Sequence, residues 1–191
     1  MKKLGLLVCA LAAMILFAIP ASAKDMNGKF GVGYDSTLGG VSGLNVKYYI
    51  GDFALWGTLG LDIFAPKSGD NPIGFNFAAG GIFNFARAEQ VNLGFGARID
   101  LGYKNKTAMG KADSSFQVNI ELPLIMEYFF TDHFSIHTGV GIVVVIVPEK
   151  GCTLTPSRSP MGITSAQPVQ GWGIGIGNGG LLGNAGATFY F

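Results

Sequence analysis

Ser135, His137 and Glu127 put a hydroxyl, an imidazole and a carboxylate close together in the chain. These are the three groups that nucleophilic hydrolysis uses. A larger set is charged: Lys47, Asp62, Arg98, Asp100, Glu121, Glu127 and His137, each standing alone among apolar or small residues. Isolated charges of both signs suit either an ion- or proton-responsive path or a packed cluster in which they neutralise one another. Of the two, the packed cluster is the expectation, with Glu127 and His137 as a structural ion pair. His133 and His137 are four apart, but no third ligand accompanies them, so no metal site is expected. Gly175, Gly177 and Gly180 satisfy G-x-G-x-x-G, yet no helix pattern follows them and the chain ends before a ribose-binding acid. No cofactor is expected. Asn105-Lys106-Thr107 and Cys152 read as loop residues.

What must position these groups is extended chain. VNLGFGARIDLGY, residues 91–103, alternates Val91, Leu93, Phe95, Ala97, Ile99, Leu101 and Tyr103 with small or polar residues. Period two means a strand with one apolar and one polar face. Helical periodicity is nearly absent after residue 24. Eight alternating segments appear instead, at about 28–36, 42–50, 53–64, 73–85, 91–103, 114–130, 134–147 and 171–191. Their connectors alternate in length. Gly51-Asp52, ARAEQ and Thr131-Asp132-His133 are short, whereas APKSGDNP, KNKTAMGKAD and 148–170 are longer; TLGGV is the brief one on that side.

The bulk numbers set the compartment. Lys2 and Lys3 precede an apolar run that ends at Pro20 and Ala21-Ser22-Ala23, the pattern of a cleaved secretory leader. The expected division is therefore a signal peptide over 1–23 and one barrel domain over 24–191. Basic and acidic residues number 13 and 12, which leaves no electrostatic footprint for nucleic acid. Charged residues are only 13% of the chain, glycines number 30, and no second apolar run is long enough for a membrane helix. Cys152 is the one cysteine after the leader, so no internal disulfide is expected.

Hairpin pairing follows from the turns. The first short turn sets Tyr48 opposite Leu55 and Lys47 opposite Trp56. The third sets Tyr128 opposite Ile136, Leu124 opposite Val140, and Glu127 opposite His137. A second turn centred on ARAEQ sets Phe83 opposite Leu93, Phe77 opposite Ile99, and Ala78 opposite Arg98. In each case the apolar faces stay in register, and a one-residue slip would mix them. The polar face is mostly Gly, Ala, Ser and Asn, which suits the concave inside of a narrow barrel. Trp56, Phe64, Ile82, Ile125, Phe129 and Tyr190 share that side and fill it. The apolar face carries aromatics at two heights with aliphatics between, as interfacial girdles do. The comb therefore faces lipid, and Arg98 and Asp100 face the lumen. Two places break the pattern. Pro123 falls inside a strand and predicts a ladder defect. The parity also changes between Ile176 and Leu181, which predicts a bulge at Asn178-Gly179-Gly180.

The ending GNAGATFYF resembles the last strand of small bacterial outer-membrane β-barrels of the OmpA, OmpX and OmpW type. EYFFTDHFSIHTGVG and KYYIGDFALWG resemble that family's hairpins on the periplasmic side. The resemblance implies an all-β fold, an eight-stranded antiparallel up-and-down transmembrane barrel in the outer membrane of a Gram-negative-type bacterium. It further implies that Phe189 and Phe191 form the assembly signal read by the barrel-assembly machinery, with periplasmic chaperones and outer-membrane lipid as the other partners. Outer-membrane lipid A deacylases use a Ser/His/acid set, but at the outer leaflet. Ser135 sits beside a short turn and the His-x-Ser-Asn pattern is absent, so no catalysis is expected. The expected role is structural, or binding of a surface ligand through loop 148–170; a narrow passive channel for small solutes, whether polar or apolar, is the alternative.

Overall fold

The computed structural model describes residues 24–63, 73–108, 111–148, 154, 170–176 and 184–191. Nine strand segments follow in order: β1 (Phe30–Ser36), β2 (Ser42–Ile50), β3 (Phe53–Ile63), β4 (Ile73–Arg87), β5 (Val91–Ala108), β6 (Lys111–Phe129), β7 (Phe134–Val147), β8 (Gly171–Ile176) and β9 (Asn184–Tyr190). Neighbours pair antiparallel, β6 closes on β7, and β9 joins β7 to β1. β8 and β9 both lie along β7, β9 against Phe134 to Gly139 and β8 against Ile142 to Val147. They are two pieces of one stave, and the fold is a closed eight-stranded antiparallel β-barrel.

Tight turns close one end. Gly51 takes φ 59°, a left-handed conformation natural to glycine. At Thr131 the side-chain oxygen accepts from the amides of His133 at 3.2 Å and Phe134 at 3.0 Å, holding the turn by a local side-chain bond. The registers around these two turns are as expected: Lys47 faces Trp56, and Glu127 faces His137.

The β4–β5 register differs from the expected one by two residues. Phe83 faces Phe95, Phe77 faces Leu101, Ala78 faces Asp100 and Gly80 faces Arg98. The turn is tighter and later than ARAEQ suggests, closing on Glu89 and Gln90 with an Ala88 N–H to Val91 oxygen bond of 2.7 Å. A bulge between Asn84 and Ala86 absorbs the odd residue, so the parity survives. The expected loop KNKTAMGKAD is also mostly strand, because β5 and β6 stay paired out to Ala108 and Lys111.

Pro123 breaks the ladder on one side only. The β5–β6 pairing skips Gly96 and Ala97, opposite Pro123 and Leu122, while Pro123 still pairs with Gly141 of β7. A residue without an N–H can serve only one neighbour fully. In the last stave, Asn184 pairs with Gly139 and Ile176 with Ile142, so seven intervening residues stand against two on β7. That odd excess reverses the parity. The expected bulge itself, at 178–180, lies outside the described residues, as do the expected leader at 1–23, Phe64, Cys152 and all of loop 148–170 except Pro148, Leu154 and Gln170.

Candidate functional site

Alternation along eight closed staves puts every second side chain inside, and the interior fills in layers. At the short-turn end, the segment 24–29 crosses the mouth. Met26 is buried there with Tyr49, Ala54, Phe129 and Tyr190. The strap is held by backbone bonds from Gly28 to Tyr49 and from Tyr49 to Lys29, each 3.0 Å, and by Asn27 Oδ1 accepting from Gly51 at 2.8 Å. Lys24 Nζ donates to the Thr131 carbonyl at 2.6 Å and lies 3.3 Å from Asp132.

Above this layer sits Glu127. It receives Lys47 Nζ at 3.1 Å, Ser135 Oγ at 2.6 Å, and the Tyr49 and Tyr190 hydroxyls at 2.5 Å each. A buried carboxylate with four donors has its lone pairs satisfied, which is what makes its burial tolerable.

The next layer is built around Trp56. Lys47, Trp56, Gly80 and Arg98 stand side by side on β2, β3, β4 and β5. Gly80 is the gap in that row: a Cβ there would lie 2.6 Å from Arg98 Cγ. The guanidinium crosses it and reaches 4.3 Å from the Trp56 ring centroid, while Lys47 Nζ lies 4.5 Å from the same ring. Arg98 also donates to Glu121 Oε2 at 2.6 and 2.9 Å and to Asp35 Oδ2 at 3.0 Å. Asp35 Oδ1 in turn meets His137 Nε2 at 2.9 Å.

At the far end the β1–β2 turn folds inward. Thr37, Leu38, Gly39 and Val41 are buried, and Val41 packs with Ala78 and Leu154. Asn119 donates to the Gly39 carbonyl at 2.7 Å, and Gln117 Oε1 accepts from the Leu154 amide at 3.2 Å.

Of the seven charged residues singled out from sequence, six are enclosed together: Lys47, Arg98, Asp100, Glu121, Glu127 and His137. Asp62 is not among them. It keeps the inward parity but stands at the rim, exposed, 3.6 Å from Lys104. The expected Glu127–His137 ion pair is also replaced. The two are cross-strand neighbours, yet His137 pairs with Asp35 and Glu127 with Lys47. Ser135 donates directly to Glu127 rather than to His137, so the three residues do not form a hydrolase relay. His133 turns away from His137, meeting the Tyr190 carbonyl at 2.9 Å and stacking on Phe189. Asp35, Tyr49 and the inserted turn were missed from sequence. Asp35 shares its parity with Gly31 and Gly33, which was the available signal.

The outer wall is the inverse of the interior. Phe95 and Ile99 are 52% and 53% exposed, whereas Arg98 between them is 2% exposed. Phe75, Tyr103 and Phe116 form one aromatic row across β4, β5 and β6 toward the far end. Phe30, Tyr48, Phe53, Phe130, Phe134, Phe189 and Phe191 are exposed near the short turns. Leu55, Leu59, Ile99, Ile120, Leu124 and Val140 lie exposed between the two levels. No family profile, no curated protein and no solved structure matches this chain.

Proposed function

We propose that the chain is an integral outer-membrane β-barrel with no catalytic role, serving envelope structure or binding a surface ligand through its longer loops. One observation carries the reading: Asp35, Lys47, Arg98, Asp100, Glu121, Glu127 and His137 are enclosed, while among the described residues the outer wall between the two ends is chiefly Phe, Leu, Ile and Val. Water would penalise that outer wall, since soluble monomers rarely expose an apolar patch beyond a few hundred Å². Hydrocarbon removes the penalty, and a closed barrel leaves no unpaired edge in it.

The dimensions support the same reading. Along β6, every second residue from Phe116 to Tyr128 is apolar and points outward. That stretch is about 40 Å at ~3.3 Å per residue. It spans about 30 Å along the axis for strands tilted by roughly 40°, close to the ~25 Å apolar band of outer-membrane barrels. The two aromatic levels suit the two interfaces. On this reading the leader 1–23 is removed in export, and Phe189 and Phe191 present the assembly signal to the barrel-assembly machinery. The alternative of a narrow passive channel has less support, because Trp56, Arg98, Ile82, Ile125 and Phe129 fill the interior.

The test is fractionation of a Gram-negative-type host expressing the full chain. A processed chain beginning at Lys24, in the outer-membrane fraction and resistant to alkaline washing, is expected. Recovery as a soluble periplasmic protein would overturn the proposal.

A further inference from the structure

Among the described residues the enclosed charges do not balance. Asp35, Asp100, Glu121 and Glu127 are four buried carboxyl groups, facing the side chains of Lys47, Arg98 and His137. Lys47 pairs with Glu127, Arg98 pairs with Asp35 and Glu121, and His137 Nε2 meets Asp35. Among the described residues no cation is in direct contact with Asp100. Its Oδ2 accepts weakly from Thr37 at 3.4 Å, and its Oδ1 has no donor. Asp100 is 0% exposed.

The neighbour of Asp100 is another acid. Gly39 lies against both Asp100 Oδ2 and Glu121 Oε1, so the two carboxyl groups sit side by side beneath the turn. Glu121 uses Oε2 for Arg98 and Oε1 for the Gly39 amide. A buried carboxyl oxygen beside another acid, with no donor of its own, is best satisfied by a hydrogen on its own carboxyl group. Around Asp100, β5 contributes Arg98, β6 contributes Glu121 and the neutral Asn119, β1 contributes Asp35 through Arg98, and β4 presents the uncharged Ala78. The turn over it contributes Thr37 and Gly39. A Cβ on Gly39 would run into the Asp100 carboxyl oxygen and come within 2.9 Å of Glu121 Oε1, so the turn is seated on the pair.

We infer that Asp100 holds a proton against Glu121, and that this protonated carboxyl group is the latch keeping the β1–β2 turn inside the barrel. When the proton leaves, two adjacent anions face a single guanidinium. Their repulsion is relieved by expelling the turn, which carries Leu38 and Val41 to the rim. The inserted state is therefore favoured at low pH and lost as pH rises. The inference rests on the barrel interior alone and stands whether or not the outer wall meets lipid.

The experiment labels Leu38→Cys with a water-soluble maleimide in the full chain, with both cysteines removed as Cys9→Ala and Cys152→Ser. Glu89→Cys, on an exposed turn, is the reference that cancels the pH dependence of thiol chemistry. The ratio of the two rates is expected to rise about tenfold between about pH 5 and about pH 9. Asp100→Asn, which cannot ionise, keeps the ratio low throughout, and Gly39→Ala raises it at both pH values. A flat ratio in the parent, an equal rise in Asp100→Asn, or a Gly39→Ala chain as protected as the parent would each overturn the latch. So would a ratio held low at high pH by millimolar calcium, which would assign the pair to a cation instead. Unchanged far-ultraviolet circular dichroism in each variant confirms that the barrel has formed.

Discussion

The Arg98 guanidinium lies 4.3 Å from the centroid of the Trp56 ring, across the gap left by Gly80. The contact joins the cation on β5 to an aromatic two staves away, and Lys47 reaches the same ring from β2. Each of these charges also has a carboxylate partner. The barrel interior is thus a connected polar core, in which removing one member strands the others.

Arg98→Ala should therefore be among the most damaging single changes. It leaves Asp35 and Glu121 buried without their shared cation, a loss of about 3–5 kcal/mol for breaking a buried ion pair. Arg98→Lys should recover only part of this, because an ammonium cannot fork between Glu121 and Asp35. Denaturant unfolding of the refolded barrel, followed by tryptophan fluorescence, reads both. An Arg98→Ala chain as stable as the parent would mean that the network contributes nothing.

Glycines on the inner face make room for specific partners. A Cβ at Gly186 would strike the His137 ring, whereas one at Gly173 would meet nothing within 4 Å. Gly186→Ala should cost roughly 1–3 kcal/mol through overpacking, and Gly173→Ala should be close to neutral. Equal effects of the two in the same unfolding assay would contradict the packing described.

The strap at 24–29 is anchored chiefly by Met26 beneath Tyr49 and Tyr190. Met26→Ala removes a buried side chain, worth about 2–5 kcal/mol in a core that cannot collapse. Because the strap lies outside the strand ladder, before β1, the loss should appear as local release rather than global unfolding. Faster hydrogen exchange at the Tyr49 amide, which donates to Lys29 at 3.0 Å, is the expected signature, with unchanged exchange at Ile99.

Much of this fold was legible from alternation. The strand β7 and the turns at Gly51 and Asp132 were read correctly because turn residues and apolar periodicity agree there. The β4–β5 turn was misplaced because Ala88-Glu89-Gln90 contains no Gly, Pro or Asn to mark its centre, and the bulge at Phe85 leaves the periodicity untouched. The upper parts of β5 and β6 were read as loop because Lys104 to Asp113 lacks apolar alternation; backbone pairing alone extends them. The interior was half legible. Parity placed six charges inside, but His137 reaches Asp35 from 102 residues away, and no local pattern records such a partner. The inward fold of the β1–β2 turn depends on Glu121 and Asn119, which lie 82 and 80 residues from Gly39.

In planar bilayers the purified barrel should give no discrete openings, since Met26, the Trp56 layer and the inserted turn each block the axis. Stable unitary currents from the unmodified chain would favour the channel alternative.

The orientation of the wall is tested most directly by nitroxide labels at Phe95→Cys and Ile99→Cys in the lipid-reconstituted chain. Their spectra should relax strongly with oxygen and hardly at all with a water-soluble nickel chelate, because both side chains project outward on β5. Preferential relaxation by the nickel chelate at both positions would place that face in water and contradict the membrane reading.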